Sequence, residues 1–224
     1  NQALLDHLAI RFAEEEWSIK KLIRGIVLSR VYQLSAEHGD SQAKVDIENR
    51  LHWRQNRRRL QAEAIRDAIL FTSGKLDEKM GGTTIKPGTK TEYGYNFDGH
   101  RRSIYTPVFR NTIPEIMQVF DFADPNLVMG ERTTSSVPTQ ALFLMNNPFV
   151  RQQAEFAATR LLEEQPANDD TRVKYAYQLT LGRNPTLEEH RIILNFLKED
   201  ENPGRAWTHI FQGLFASLDF RYLN

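Results

Sequence analysis

The sequence predicts a mainly α-helical protein: a multi-helix single domain with long irregular loops and room for one small β-hairpin near residues 93–108. Three observations carry that expectation. Apolar residues recur at three- and four-residue spacing in segment after segment, the period of a helix with one buried face. Helix-starting and helix-stopping residues separate those segments. Aperiodic stretches rich in Gly, Thr, Ser, Asp and Pro are concentrated in 83–100 and 121–137.

The 224 residues suffice for one substantial domain with a real core, residues 138–224 forming a candidate helical subdomain. Hydrophobic residues make up 40% and charged residues 26%, the composition of a globular chain. The 29 basic residues balance the 29 acidic ones, which argues against a nucleic-acid partner. With no cysteine, disulfides, thiolate metal sites, iron–sulfur clusters and cysteine nucleophiles are excluded from this chain. No apolar run approaches the ~18 residues of a membrane helix. The chain opens at Asn1 with no initiator Met and reads as a segment of a longer protein.

Taken in order, Leu4, Leu5, Leu8, Ala9 and Phe12 mark an amphipathic helix over 3–15. Ser18 is a good N-cap for a second, over 19–34, with a stripe of Leu22, Ile23, Ile26, Val27 and Val31. The short connection predicts an antiparallel pair. Residues 35–48 read as a loop. The most charged helical stretch is Asn56–Gly74, where Leu60, Ala64, Ile65, Ala68, Ile69 and Phe71 share one side and Gly74 is the stop. A short helical turn follows over 73–82, then the excursion 83–99. Residues 101–111 read as extended, with Pro107 holding Thr106 out of the α region. Further helices are expected at 114–120, 139–145, 149–164, 171–181 (ended by Gly182), from the capping box opened by Thr186, and at 206–222.

No motif fixes a chemistry. The six histidines form neither His-x3-His nor His-Glu-x-x-His, and neither a P-loop nor a Gly-x-Ser-x-Gly elbow is present. The arginines are more informative, since guanidinium forks suit carboxylate, phosphate or sulfate groups. Near them, Glu63, Arg66, Asp67, Arg102, Tyr105, Arg110, Asn111 and Arg132 form a candidate binding cluster, with Glu63 as the candidate acid or base of an enzyme. The same arginines equally suit internal carboxylates and loop carbonyls. No metal-ligand set is expected.

Several ordered motifs share a resemblance: Asn56–Asp67, Ser73-Gly74-Lys75-Leu76-Asp77, Arg102-Ser103-Ile104-Tyr105, Arg132-Thr133-Thr134, Pro138-Thr139-Gln140-Ala141-Leu142-Phe143-Leu144-Met145-Asn146 and Leu181-Gly182-Arg183-Asn184-Pro185-Thr186. Together they resemble the domain of unknown function (planctomycete secreted domain one) that follows a cytochrome-c-like domain in large secreted planctomycete proteins. The resemblance implies an exported, periplasmic or cell-surface, multi-domain bacterial parent. It also implies a c-type haem in an upstream domain, outside this chain, and a link to polysaccharide use. It supplies no catalytic residue. Two functional expectations follow. One is a non-catalytic helical module that docks onto other domains of its parent or binds a carbohydrate or anionic ligand. The other is an oxidoreductase or hydrolase acting on a carbohydrate or another polymer.

Overall fold

The computed structural model describes residues 1–164 and 168–223, and it is mainly α-helical. The chain divides into two compact units, Asn1–Arg58 together with Leu223, and Arg59–Tyr222. The smaller one carries α1 (Gln2–Glu14), α2 (Ile19–Val27) and α3 (Asp40–Val45). Asn1 and Ser18 cap α1 and α2 as their side chains accept from Leu4 and Lys21 N–H groups. The turn between them forces Glu16 and Trp17 into left-handed backbone at φ +59° and +58°. Such strain costs on the order of 1 kcal/mol per residue, offset here by the Trp17 ring meeting Phe12 edge-on at 5.3 Å.

The larger unit is built around one helix pair. Strand β1 (Arg58–Arg59) leads into α4 (Ala62–Thr72), a single 3₁₀ turn at Ser103–Tyr105 and α5 (Glu115–Val119). Then follow α6 (Pro138–Asn146), α7 (Pro148–Glu164), α8 (Asp169–Leu181), α9 (Leu187–Glu199), α10 (Pro203–Ala216), α11 (Leu218–Arg221) and β2 (Tyr222–Leu223), which pairs with β1. Helix α10 packs most extensively on α7. Its Trp207, Phe211 and Phe215 recur every four residues and are fully buried, their rings stepping 6.4 Å apart. Opposite them α7 offers small residues, Ala154, Ala157 and Ala158, which let the aromatic stripe approach. Ile65 and Ile69 of α4 join this core, so the charged helix is anchored on its apolar side. Arg160 of α7 closes the far end of α4 by donating to the Phe71 carbonyl at 3.0 Å and the Thr72 carbonyl at 3.3 Å. The chain leaves through Gly74 at φ +70°, where a Cβ would meet the Arg160 side chain at 3.1 Å.

Several sequence expectations require correction. The charged helix begins at Ala62, not Asn56, because the Leu60 N–H is taken by the Arg221 carbonyl at 2.7 Å and Gln61 is extended at ψ 158°. The second helix ends at Val27, where Gln33 Nε2 claims the Val27 carbonyl at 3.2 Å. A helix, α3, interrupts the expected 35–48 loop. Residues 73–82 form no second helical turn, as Asp77 N–H donates to the His100 carbonyl at 2.9 Å and Asp77 bridges to Arg101. Among the described residues 93–108 contain no hairpin; tertiary bonds to α4 fold Ser103–Tyr105 into a tight turn instead. The last helix breaks at Ser217, which is extended at ψ 158° and caps α11 by accepting from Phe220 N–H. The Thr186–Glu189 capping box forms as expected.

That box also anchors an ion cluster. Arg183 Nη2 lies 2.6 Å from carboxylate oxygens of both Glu189 and Asp219. Hydrogen bonds from Arg183, against the opposing effect of burial, and from Thr186 pull the Glu189 carboxyl down from 4.5 to about 2. Because the folded value lies below the unfolded one, this stability is present above pH 4.5 and is lost as the pH falls toward 2. Glu189→Gln should therefore flatten the acid limb of the melting-temperature profile, removing on the order of 1–2 kcal/mol near neutrality once solvent screening is counted. An unchanged limb in that variant would contradict the assignment.

Candidate functional site

Helix α4 places Glu63, Arg66 and Asp67 three and four positions apart, on adjoining strips of one surface. The middle residue goes inward. With only 6% of its side chain exposed, Arg66 donates to the Arg101 carbonyl at 2.9 Å, to Ser103 Oγ at 3.2 Å and to the Gly99 carbonyl. Asp67 Oδ1 accepts from the Ser103 N–H at 2.8 Å and from its hydroxyl at 2.7 Å. One helical turn thus pins the Gly99–Ser103 segment through a donor and an acceptor side by side. Burial pulls the Arg66 pKa down, and the Asp67 carboxylate at 3.5 Å opposes that shift.

The pinned segment is the wall between two clefts. The first, of about 480 Å³, is lined by Glu63, Asp67, Arg102, Ile104, Phe122 and Arg132, among others. Arg132 Nη1 donates to both Glu63 oxygens at 2.8 and 2.9 Å and to Gln61 Oε1 at 3.3 Å, while its guanidinium lies 4.8 Å from the Phe122 ring centre. Two carboxylates face two guanidiniums here, so the charges of Glu63, Asp67, Arg102 and Arg132 cancel. The second cleft, of about 230 Å³, is lined by Arg66, Arg101, Tyr105, Tyr95 and Phe97, among others. Arg101 donates to the carbonyls of Thr83 at 3.2 Å, Lys79 at 3.0 Å and Gly81, and stacks 4.0 Å over the Tyr105 ring. Tyr105 Oη accepts from the Gly81 N–H at 3.0 Å.

The eight residues of the candidate cluster therefore separate. Glu63, Asp67, Arg102 and Arg132 meet in the first cleft; Arg66 and Tyr105 line the second. Arg110 and Asn111 line neither. The Arg110 carbonyl accepts from Asn126 Nδ2 at 2.8 Å, and Asn111 Nδ2 donates to the Glu92 carboxylate. Sequence reasoning missed Ser103 and Arg101 as members. Arg101 and Tyr105 line the second cleft, whereas Arg102, Ser103 and Ile104 line the first.

A second polar centre joins Arg59 to Asp121. The Arg59 side chain is 4% exposed and donates to Asp121 Oδ2 at 2.7 Å and to the Phe120 carbonyl at 3.3 Å. Although burial raises the Asp121 pKa, the Ser135 N–H and hydroxyl together with Arg59 hold it below the usual carboxylate range. This centre closes the 121–135 loop rather than opening a site. Among the described residues no group of three or more His, Asp or Glu could hold a metal ion, and no helix is long and apolar enough to cross a membrane.

Fold and clefts define an α-helical module whose buried arginines chiefly brace its own loops. The chain belongs to the PSD1 family, a protein of unknown function (DUF1553), whose model matches residues 1–197. The matched span stops before α10, although α10 supplies Trp207, Phe211 and Phe215 to the core. No curated protein and no solved structure matches the chain.

Arg66→Met would leave two carbonyls and a hydroxyl without their donor, at a cost of about 2–4 kcal/mol. Trypsin should then cut at Lys79, Lys86 or Lys90 roughly tenfold faster, while circular dichroism keeps its helical signature. An unchanged cleavage rate would show that Arg66 does not hold the loop.

Proposed function

We propose that this chain is a non-catalytic helical interaction module of an exported, haem-associated, multi-domain bacterial protein, linked to polysaccharide use, and that it docks onto other domains of that parent. One observation carries the interaction reading: no residue of α1 or α2 is buried, although α2 is strongly apolar along one side and α1 carries several large apolar side chains. Leu4, Leu5, Ile10, Ile19 and Ile23 are each more than half exposed. Isolated helices shorter than ~12–15 residues are marginal in water, so helices of 13 and 9 residues with this exposure call for a covering surface. The exported and haem-associated setting is supported by the motif resemblance described above. The non-catalytic part is supported by the first cleft, where Glu63 is bridged by Arg132 and Asp67 is bonded to Ser103. A general acid or base needs a carboxyl free to exchange a proton with substrate.

A second reading rests on the same cleft being open: Glu63, Asp67, Arg102 and Phe122 would then bind a carbohydrate or act on it as an enzyme. It requires Arg132 to release Glu63, which makes it the lesser reading.

The docking reading is tested with Ile23→Glu combined with Ile26→Glu. Both side chains are exposed, so the fold should lose no more than about 0.5 kcal/mol per site. In sedimentation with the remaining domains of the parent, the variant should bind at least roughly tenfold more weakly than the native chain. Equal affinity would overturn the reading.

A further inference from the structure

We propose that the second cleft is a binding site for a small organic anion: a single carboxylate-bearing ring, its charge held by Arg101 and Arg66 and its body set against Tyr95 and Phe97. Electrostatics gives the first argument. Arg101 bonds to three carbonyl oxygens and, among the described residues, to no carboxylate. These carbonyls engage its Nη donors without cancelling its charge, and its buried Nε has no partner among the described residues. Of the other cations lining the cleft, Lys86 pairs with Asp98, whereas Asp67, 3.5 Å from Arg66, lines the first cleft and is already counted there. Arg66, Lys86 and Arg101 therefore face Asp98 alone, an excess of two positive charges. A cleft with low-dielectric walls focuses such a field. The first cleft lacks this excess, since its charges cancel.

Burial pulls the Arg66 pKa down, and an anion in the cleft would oppose that shift as Asp67 does.

Shape gives the second argument. Tyr95, Phe97 and Phe109 form an edge-to-face aromatic group, with Tyr95 4.9 Å from Phe97 and 5.1 Å from Phe109. Tyr95 and Phe97 line the cleft together with the stacked Arg101–Tyr105 pair. Aromatic walls favour a ring that presents an apolar face over a bare, hydrated ion. The volume of about 230 Å³ is below the ~300–1,000 Å³ of drug-sized sites, so one ring fits better than an oligomer. The site is also built in advance. Arg101, Tyr105 and the Asp77–His100 bond fix the cleft's rim before any ligand arrives.

The test is calorimetric titration of the whole chain with glucuronate, glucose and inorganic sulfate as probes. Glucuronate should bind saturably and at least roughly tenfold more tightly than either glucose or sulfate. Arg101→Gln should weaken it by a similar factor, whereas Arg102→Gln, in the first cleft, should leave it unchanged. Because Arg101 also holds loop carbonyls, the location is read independently in the native chain by NMR, where amide signals of Tyr95, Phe97 and Arg101 should shift. The proposal is overturned if glucuronate does not bind, if glucose or sulfate binds equally well, or if Arg101→Gln binds normally. Shifts confined to Glu63, Phe122 and Arg132 would also overturn it, by placing the ligand in the first cleft. None of these outcomes bears on the α1–α2 face.

Discussion

A guanidinium inside a protein must find an acceptor for each of its donors or the fold pays for the difference. Arg66 meets much of that demand on a segment more than thirty residues away, at the Gly99 and Arg101 carbonyls and the Ser103 hydroxyl. The rest of the candidate region depends on this. With Gly99–Ser103 fixed against α4, Asp77 can bond back to His100 and close the neck of a long loop. Arg101 then lies where it can gather the Lys79, Gly81 and Thr83 carbonyls. The bonds add less to net stability than to uniqueness, because the guanidinium's desolvation offsets much of what they contribute. What they fix is a wall with a defined cleft on either side.

The two clefts differ in charge although they share that wall. Within Arg101–Tyr105, Arg101 and Tyr105 line one cleft while Arg102, Ser103 and Ile104 line the other. Next to Arg102 the carboxylates of α4 balance the arginines. Next to Arg101 the partners are neutral carbonyls. The difference arises from which acceptors the backbone presents, not from the number of arginines. The apolar stripe of α1 and α2 belongs to a separate unit and poses a separate problem, exposed aliphatic surface on short helices.

Much of the fold was legible in the sequence. The 3.6-residue period found α6 through α9 and most of α10, since those helices bury one face and keep strong local caps such as Thr186 and Gly182. Where it misled, a distant partner overrode local pattern. Leu60 continues the apolar period of α4, yet the Arg221 carbonyl claims its N–H and starts the helix two residues later. Ser217 lies inside a helical period but serves better as a cap. In the site, the residue types were readable and the grouping was not. Arg66 and Arg102 look alike in sequence; burial separates them, and burial depends on the fold. Arg110 and Asn111 entered the candidate cluster by proximity in the chain, and bonds to Asn126 and Glu92 draw them elsewhere. Ser103 was missed because a lone serine carries no signal until Asp67 is placed beside it.

The central claim is that α4 and the Gly99–Ser103 segment open and close as one structural body. Amide hydrogen exchange tests it directly. The Ser103 N–H, bonded to Asp67, and the Asp77 N–H, bonded to the His100 carbonyl, should exchange within roughly tenfold of the Ile69 and Leu70 amides of α4. Exchange of Ser103 and Asp77 as fast as that of Gly94, out in the excursion, would contradict the account.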